Sequence, residues 1–596
     1  MAFDLLLVFI VAALSCPGPG FLLARRLRLD PLETLTASIV LSLLVQFVAS
    51  FAAFTAGLPA GPAHAAILVA SGLLTLAALP GLRDLLATRV VRTALVWFAV
   101  WSIGVLAILS LIRGYSGGLW YGDWFEHFER SRFFLGGHDP GELFLGSLLP
   151  ARPPLVNVLG AHALAIAGDR FTVYQLTTTL LCLPIFFPAL LLARRLALAR
   201  GPSPAGRFRP AVLAAFVLAS PFVMQNATYC WTKLPAAFFV LAGLAFYLRG
   251  VRGDRVCLPL AFLSFAGGMA SHYSAVPYAL VPALHYLVSA LRRPPDGTAR
   301  RPPDSTTRPL PGRAERWREA GLAVAAVLIV LGPWVAYLLR VYGPGPALAA
   351  NSTAIAFDEH GGGTIAVTLD NLAATMLPRV PRHAGEGPPP PGFSWAGLRD
   401  SSFIAYQQTL PFALGALGPA LLIYAWVTRR RTPARAAVAG SDARLLAALV
   451  LPAGLLAVPL HTPPAAHGLA HVVLQPVVLL GIIYLAACYD AWARPVRLIV
   501  AAGLIFDTLL GIGLHVLFQS LPRGVRPQGI AALFLSGGPL GSAADNATLQ
   551  FGHHAVFLGS ALRGLRIPLA LVAAAVYVIA GAGLSGRSLR GDASGR

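Results

Sequence analysis

The stretch "RPPLVNVLGAHALAIAG", residues 152–168, decides how this chain is threaded through a membrane. Of the 596 residues, 56% are hydrophobic and 12% are charged, about half the charge of a soluble domain. Apolar runs of about 20 residues recur along the chain, long enough to cross a bilayer as helices. Residues 152–168 are also apolar, but they open with Arg-Pro-Pro and contain Asn157 and His162. Whether they are counted as a span sets the side of every later loop.

The arginines decide the matter. Basic connections stand at 24–30 (ARRLRLD), 81–92, 193–209, 249–255 (RGVRGDR), the Pro/Arg-rich 292–317, 428–437 (TRRRTPARAA), 493–497 (ARPVR) and the tail from Arg587. Basic loops favour the cytoplasm. All of these reach it together only if 152–168 does not cross, so that stretch reads as an interfacial or re-entrant helix. The amino terminus then lies outside and the carboxyl terminus inside.

The expected fold is an all-α polytopic membrane protein with about 15 transmembrane helices. The spans read as 2–23, 32–57, 63–82, 93–112, 171–193, 210–226, 232–250, 255–271, 273–290, 318–342, 406–428, 444–461, 467–488, 498–518 and 566–586. The organisation expected is an amino-terminal three-span extension (1–92), a membrane core (93–342) with a first outer loop at 113–170, a second outer loop (343–405), and carboxyl-terminal membrane helices (406–596). The net charge of +21 belongs to these cytoplasmic anchors and not to a nucleic-acid surface. The first residues lack a basic region before their apolar run and read as a span rather than a cleaved signal peptide. Five cysteines without paired spacing suggest neither a disulfide framework nor a zinc site. There is no GxGxxG and no Walker A motif, so no nucleotide or other cofactor is expected.

Function points to the outer loops. "WYGDWFEHFERSRFF" (120–134) gathers acids and bases among aromatics. Wound as a helix, Asp123, Glu126, His127 and Arg130 share one face, and Trp124, Phe125 and Phe128 line another. This predicts an amphipathic helix at the outer membrane surface, its polar face turned to a cleft. Asp123 with Glu126 three residues on is also a capping-box pattern. The catalytic reading makes Asp123 a general base for an attacking hydroxyl, with Glu126 orienting it or serving in its place. The Asp-x-x-Glu spacing gives no indication of a bound metal.

Lys233 is the only lysine among 46 basic residues. It stands at the outer end of a span, in "YCWTKLPAAFF", where a compact ammonium suits a phosphate. Arg152, His127, His272, Tyr273 and His471 fall at the same predicted depth and complete the candidate binding set. His461 and His467 lie there too. His467 and His471 are spaced to share zinc, but HExxH is missing and no third ligand is evident. Asp507 falls inside a span, where it needs a partner that the sequence does not name.

An acidic residue in an aromatic helix after an early span, followed by "RPPL…GDRFTVYQL" and a late "GLAHVVLQPVVLL", resembles the GT-C membrane glycosyltransferases, a group that includes aminoarabinose transferases and protein O-mannosyltransferases. The resemblance covers roughly 93–480. It implies a GT-C-like bundle with juxtamembrane helices on the outer face, and inverting transfer of a sugar from a polyprenyl-phosphate to a hydroxyl of a glycan, lipid or protein. Asp123 matches the family's first-loop acid, although the family often carries adjacent acids there and here they stand three apart. Lys233 and Arg152 would meet the departing lipid phosphate. The second outer loop, with Asp358, Glu359, His360 and Asp370, would cover the acceptor. The composition fits a bacterial inner membrane, with the site on the periplasmic face. Two other readings stay open: a flippase for lipid-linked sugars, and an O-antigen polymerase or ligase.

Overall fold

The structure is a computed structural model, describing residues 2–115, 123–144, 147–198, 208–254, 256–292, 313–349, 364–377, 402, 405–430, 437–461, 468–518 and 555–585. Among them every regular element is helical, and the only β pairing is an isolated bridge between Phe144 and Ser147. The chain is an integral membrane protein. Among the described residues, ten helices have the length and hydropathy of a membrane span, or eleven if the bent pair Pro210–Ala219 and Pro221–Thr228 counts as one.

The described residues hold fewer candidate spans than the fifteen or so expected. The runs at 255–271, 406–428 and 467–488 form helices Cys257–Ser271, Gly418–Arg430 and Gln475–Cys488, of 15, 13 and 14 residues. At about 1.5 Å per residue these fall short of a hydrocarbon layer of about 30 Å. The bent pair turns by 77° at Ser220–Pro221. Pro221 cannot donate to the helix ladder and its ring clashes with the preceding turn. Backbone groups freed inside a membrane must find partners within the protein. Here the Leu218 carbonyl, in the last turn of the first helix, accepts the Tyr577 hydroxyl at 3.1 Å, and the Pro221 carbonyl, at the start of the second, accepts from His515 Nε2 at 3.1 Å and from Gln407 Nε2 at 3.3 Å.

Asp507 also finds backbone. Its carboxylate accepts the Ala416 N–H at 3.1 and 3.2 Å. The approach requires glycine at 415, where φ is +95° and a Cβ would stand 2.7 Å from Asp507 Oδ2.

Residues 155–167 form the helix Leu155–Ala167, 13 residues long and too short to span. Rather than lying on lipid, it is wedged inside the protein, with Leu155 to Leu164 buried throughout. It packs against Asp123–Phe133 on one side and against Pro31–Thr55 and Ala60–Ala87 on others. Gly160 permits the first contact, since a Cβ there would meet Ser131 Oγ at 2.8 Å. His162 Nδ1 lies 3.0 Å from His64 Nδ1 and ties it to the amino-terminal helices.

Several described residues in or beside the basic connections are held by ion pairs. Glu33 takes Arg195 at 2.8 Å and also Arg249, which reaches Asp254 at 2.7 Å. Arg209 pairs with Asp490 and donates to the Gly583 carbonyl at 3.1 Å. Asp4 pairs with Arg170 in the same way.

Candidate active site

The helix Asp123–Phe133 is positioned by its aromatic face. Trp124 meets Phe171 at 4.8 Å between ring centroids and Phe557 at 5.2 Å, and Phe128 meets Tyr174 at 5.5 Å. The expected amphipathic helix is present, but its apolar side is packed into protein rather than lipid. One turn further on, Arg130 is wholly buried. Its guanidinium donates to the Leu149 carbonyl at 2.9 Å, the Leu148 carbonyl at 3.1 Å and Ser147 Oγ at 2.7 Å. It thereby holds the chain entering Arg152.

Glu126 is the counterpart of both arginines. It accepts from Arg130 Nε at 2.9 Å, Ser147 Oγ at 3.2 Å and Arg152 at 3.4 Å. Burial pushes its carboxyl up, but Arg152 and Arg130 outweigh burial and hold it down at about 2. A carboxylate this acidic and this fully engaged is a weak proton acceptor.

Asp123 differs. It is half-buried, and its Oδ2 accepts the indole N–H of Trp231 at 3.0 Å. Burial raises its carboxyl above the ordinary value, against the opposing pull of Lys233 and Arg152. The two acids, one turn apart, are thus driven in opposite directions by their surroundings.

Trp231 is the hub of the cleft. Lys233 Nζ sits 4.1 Å from the centroid of its ring, a cation–π contact, and the His471 ring lies 5.1 Å away. The chain reaches this arrangement through Cys230, whose φ of +63° is left-handed. A non-glycine residue held there costs about 1–3 kcal/mol, strain that concentrates at functional sites. Lys233 is also the first residue of the helix Lys233–Gly250, so the positive end of that helix adds to the ammonium. Thr232 Oγ1, just before it, is buried without a partner among the described residues.

The remaining candidates close the cleft. Tyr273 donates its hydroxyl to the Pro150 carbonyl at 2.9 Å, bracing the chain ahead of Arg152. His272 Nδ1 accepts from the Ser274 N–H at 3.2 Å. Burial, with Lys233 next, keeps both His272 and His471 well below the usual histidine range. His127 is held at about 3, chiefly by burial. Nδ1 of His127 and of His471 is buried without a partner among the described residues. All eight residues named from the sequence therefore meet in one region. Trp231 was not singled out there, and Arg130 was named only as part of the helix's polar face. Trp231 had one signal, its place two residues before the lone lysine, and Arg130 had its i, i+4 spacing from Glu126. His467, Asp358, Glu359 and His360 lie outside the described residues. Among the described residues no group of three or more His, Cys, Asp or Glu side chains is placed to hold a metal ion.

The cleft offers one available carboxylate, two cations beside it, and neutral imidazoles. That set can accept a proton from a hydroxyl while holding an anion close by. No family model matches the chain, and no curated protein does. Among solved structures, ArnT from Cupriavidus metallidurans bound to undecaprenyl phosphate aligns with a TM-score of 0.41 at 15% identity, covering 84% of this chain and 78% of that one. The oligosaccharyltransferase AglB from Archaeoglobus fulgidus, in complex with an inhibitory peptide and a dolichol-phosphate, aligns with a TM-score of 0.36 at 12% identity, covering 77% of this chain and 60% of that one.

Proposed function

We propose that this protein is a membrane glycosyltransferase acting at the outer face. It takes a sugar from a polyprenyl-phosphate donor and passes it, with inversion, to an acceptor hydroxyl. One observation carries the reading: Asp123 and Lys233 share Trp231, the first through the indole N–H and the second over its ring. Base and cation are held at adjacent points, as transfer from a phosphate-linked carbon requires.

In this mechanism Asp123 takes the proton of the acceptor hydroxyl as its oxygen attacks the anomeric carbon. The bond from that carbon to the phosphate oxygen breaks, and the electron pair leaves with the lipid phosphate. Charge grows on the phosphate during the step, and Lys233 and Arg152 stabilise it more as it grows. Glu126 serves as a positioning residue that holds Arg152 toward the cleft. His127, His272 and His471, neutral at physiological pH, offer hydrogen bonds to sugar hydroxyls without competing for the phosphate. The lipid tail stays in the bilayer, so the donor arrives from the side and the acceptor from the water.

The test is transfer in detergent, without any membrane gradient, from a panel of radiolabelled polyprenyl-phosphate sugars. Wild-type protein is expected to turn over at least one donor, and Asp123→Asn to lose about a hundredfold or more in kcat. Transport of a lipid-linked sugar in proteoliposomes with no turnover of any donor would replace this reading with a flippase. Turnover confined to diphosphate-linked oligosaccharides would favour a polymerase or ligase.

A further inference from the structure

The helices Val276–Arg292 and Arg313–Tyr342 both pack against Cys257–Ser271 but make few contacts with each other. They leave a groove between them of about 480 Å³, with Phe262 of the short helix in its lining. That is the size of a small-ligand site. Its walls are apolar, with Ala283, Leu287 and Leu291 on one helix and Ala320, Val324 and Leu328 on the other. Leu287, Leu291, Val324 and Leu328 are also exposed at the surface of their helices, so the groove opens sideways to lipid.

One end of the groove is polar. Arg316 lines it and is 8% exposed, and its guanidinium has no hydrogen bond or ion pair among the described residues. Glu319, three residues on, is taken by the Tyr286 hydroxyl at 3.0 Å, which ties the two helices together. Trp317 lines the same end and is exposed. We infer that this groove binds an anionic diacyl phospholipid, its phosphate on Arg316 and one acyl chain lying between the helices. The inference does not depend on the transferase reading.

Four features select that ligand. A buried guanidinium without a counter-charge is costly, and a phosphate meets it with parallel charge-assisted hydrogen bonds. From Arg316 to Leu328 the helix rises about 18 Å, close to one leaflet of a hydrocarbon layer about 30 Å thick. Trp317 marks the level of the membrane interface, where a phospholipid carries its phosphate. Between 292 and 319 the sequence holds eight arginines against four acids, and a basic segment beside a span attracts anionic headgroups over zwitterionic ones. The site is distinct from the cleft. Tyr273 stands just before the start of Val276–Arg292, whereas the groove begins at Ala283 and runs toward the basic end of that helix.

The experiment is native mass spectrometry of the purified full chain in detergent. Phosphatidylglycerol and phosphatidylethanolamine with identical acyl chains are titrated separately. One saturable phosphatidylglycerol is expected, held about tenfold more tightly than phosphatidylethanolamine. Arg316→Met, or Arg316→Gln should that variant unfold, should abolish the preference, a loss of about tenfold. Arg318→Met removes an exposed arginine outside the lining and should cost about threefold at most. Ala320→Phe fills the groove and should weaken both lipids, with folding checked by the unfolding midpoint. Equal binding of the two lipids by wild type, an unchanged preference in a folded Arg316 variant, or equal losses in Arg316→Met and Arg318→Met would each overturn the proposal. So would binding seen only when residues 296–310 are replaced by a Gly/Ser linker, which would assign the groove to that segment. Tighter, Arg316-dependent binding of undecaprenyl phosphate would overturn it in favour of a carrier site.

Discussion

Glu126→Gln separates a positioning acid from a catalytic one. The substitution keeps the shape of the side chain and removes the charge facing Arg130 and Arg152. Glu126 lies 5% exposed, and its carboxyl is lowered from 4.5 to about 2. That difference corresponds to roughly 3 kcal/mol of interaction favouring the charged form. Two charge-assisted hydrogen bonds at about 1.5 kcal/mol each give a similar figure. Because the folded value lies below the unfolded one, this stabilisation is fully present above about pH 4.5 and is lost as pH falls toward 2. Burial pushes the Arg130 guanidinium down to about 10, against the pull of Glu126, so it stays charged at neutral pH and needs its partner. The expected result is a loss of roughly 3 kcal/mol in denaturant unfolding at pH 7, shrinking below about pH 4.5 as the unfolded wild-type chain takes up a proton at Glu126 and gone once pH falls through about 2. In transfer assays the donor KM should rise, as Arg152 loses its anchor, while kcat falls far less than in Asp123→Asn. If Glu126→Gln instead matches Asp123→Asn in kcat and leaves stability unchanged, Glu126 is the base and the reasoning from its ion pairs is wrong.

Two more perturbations test the hub. Trp231→Phe keeps the ring but removes the N–H that favours the charged form of Asp123. The acid limb of the kcat/KM profile should move to higher pH, and an unmoved limb would show that Asp123 is not the titrating group. Lys233→Met should weaken donor binding about tenfold or more, and Lys233→Arg should restore little, because a planar guanidinium does not reproduce a point charge over the Trp231 ring. Full rescue by arginine would reduce Lys233 to a general cation.

The sequence by itself determined the membrane class, the positions of most spans and the exclusion of 152–168 from spanning. Hydropathy runs and arginine bias are local properties, and insertion responds to them locally. The cluster of acids at 123–130 and the solitary Lys233 were equally legible, because each departs from an almost uniform background. The tertiary structure decided how these pieces meet. Trp231 bonds an aspartate 108 residues away, and the backbone that satisfies Asp507 lies 91 residues from it. Such pairings follow from helix packing and leave no periodic trace in the chain. The difference between the two acids was likewise beyond the sequence. Asp123 and Glu126 are one turn apart on one face, yet Glu126 is fastened by Arg130 and Arg152, and Asp123 is left to Trp231 and a half-buried cleft. Which carboxylate is free to take a proton depends on burial and neighbouring charge, and both exist only once the chain has folded.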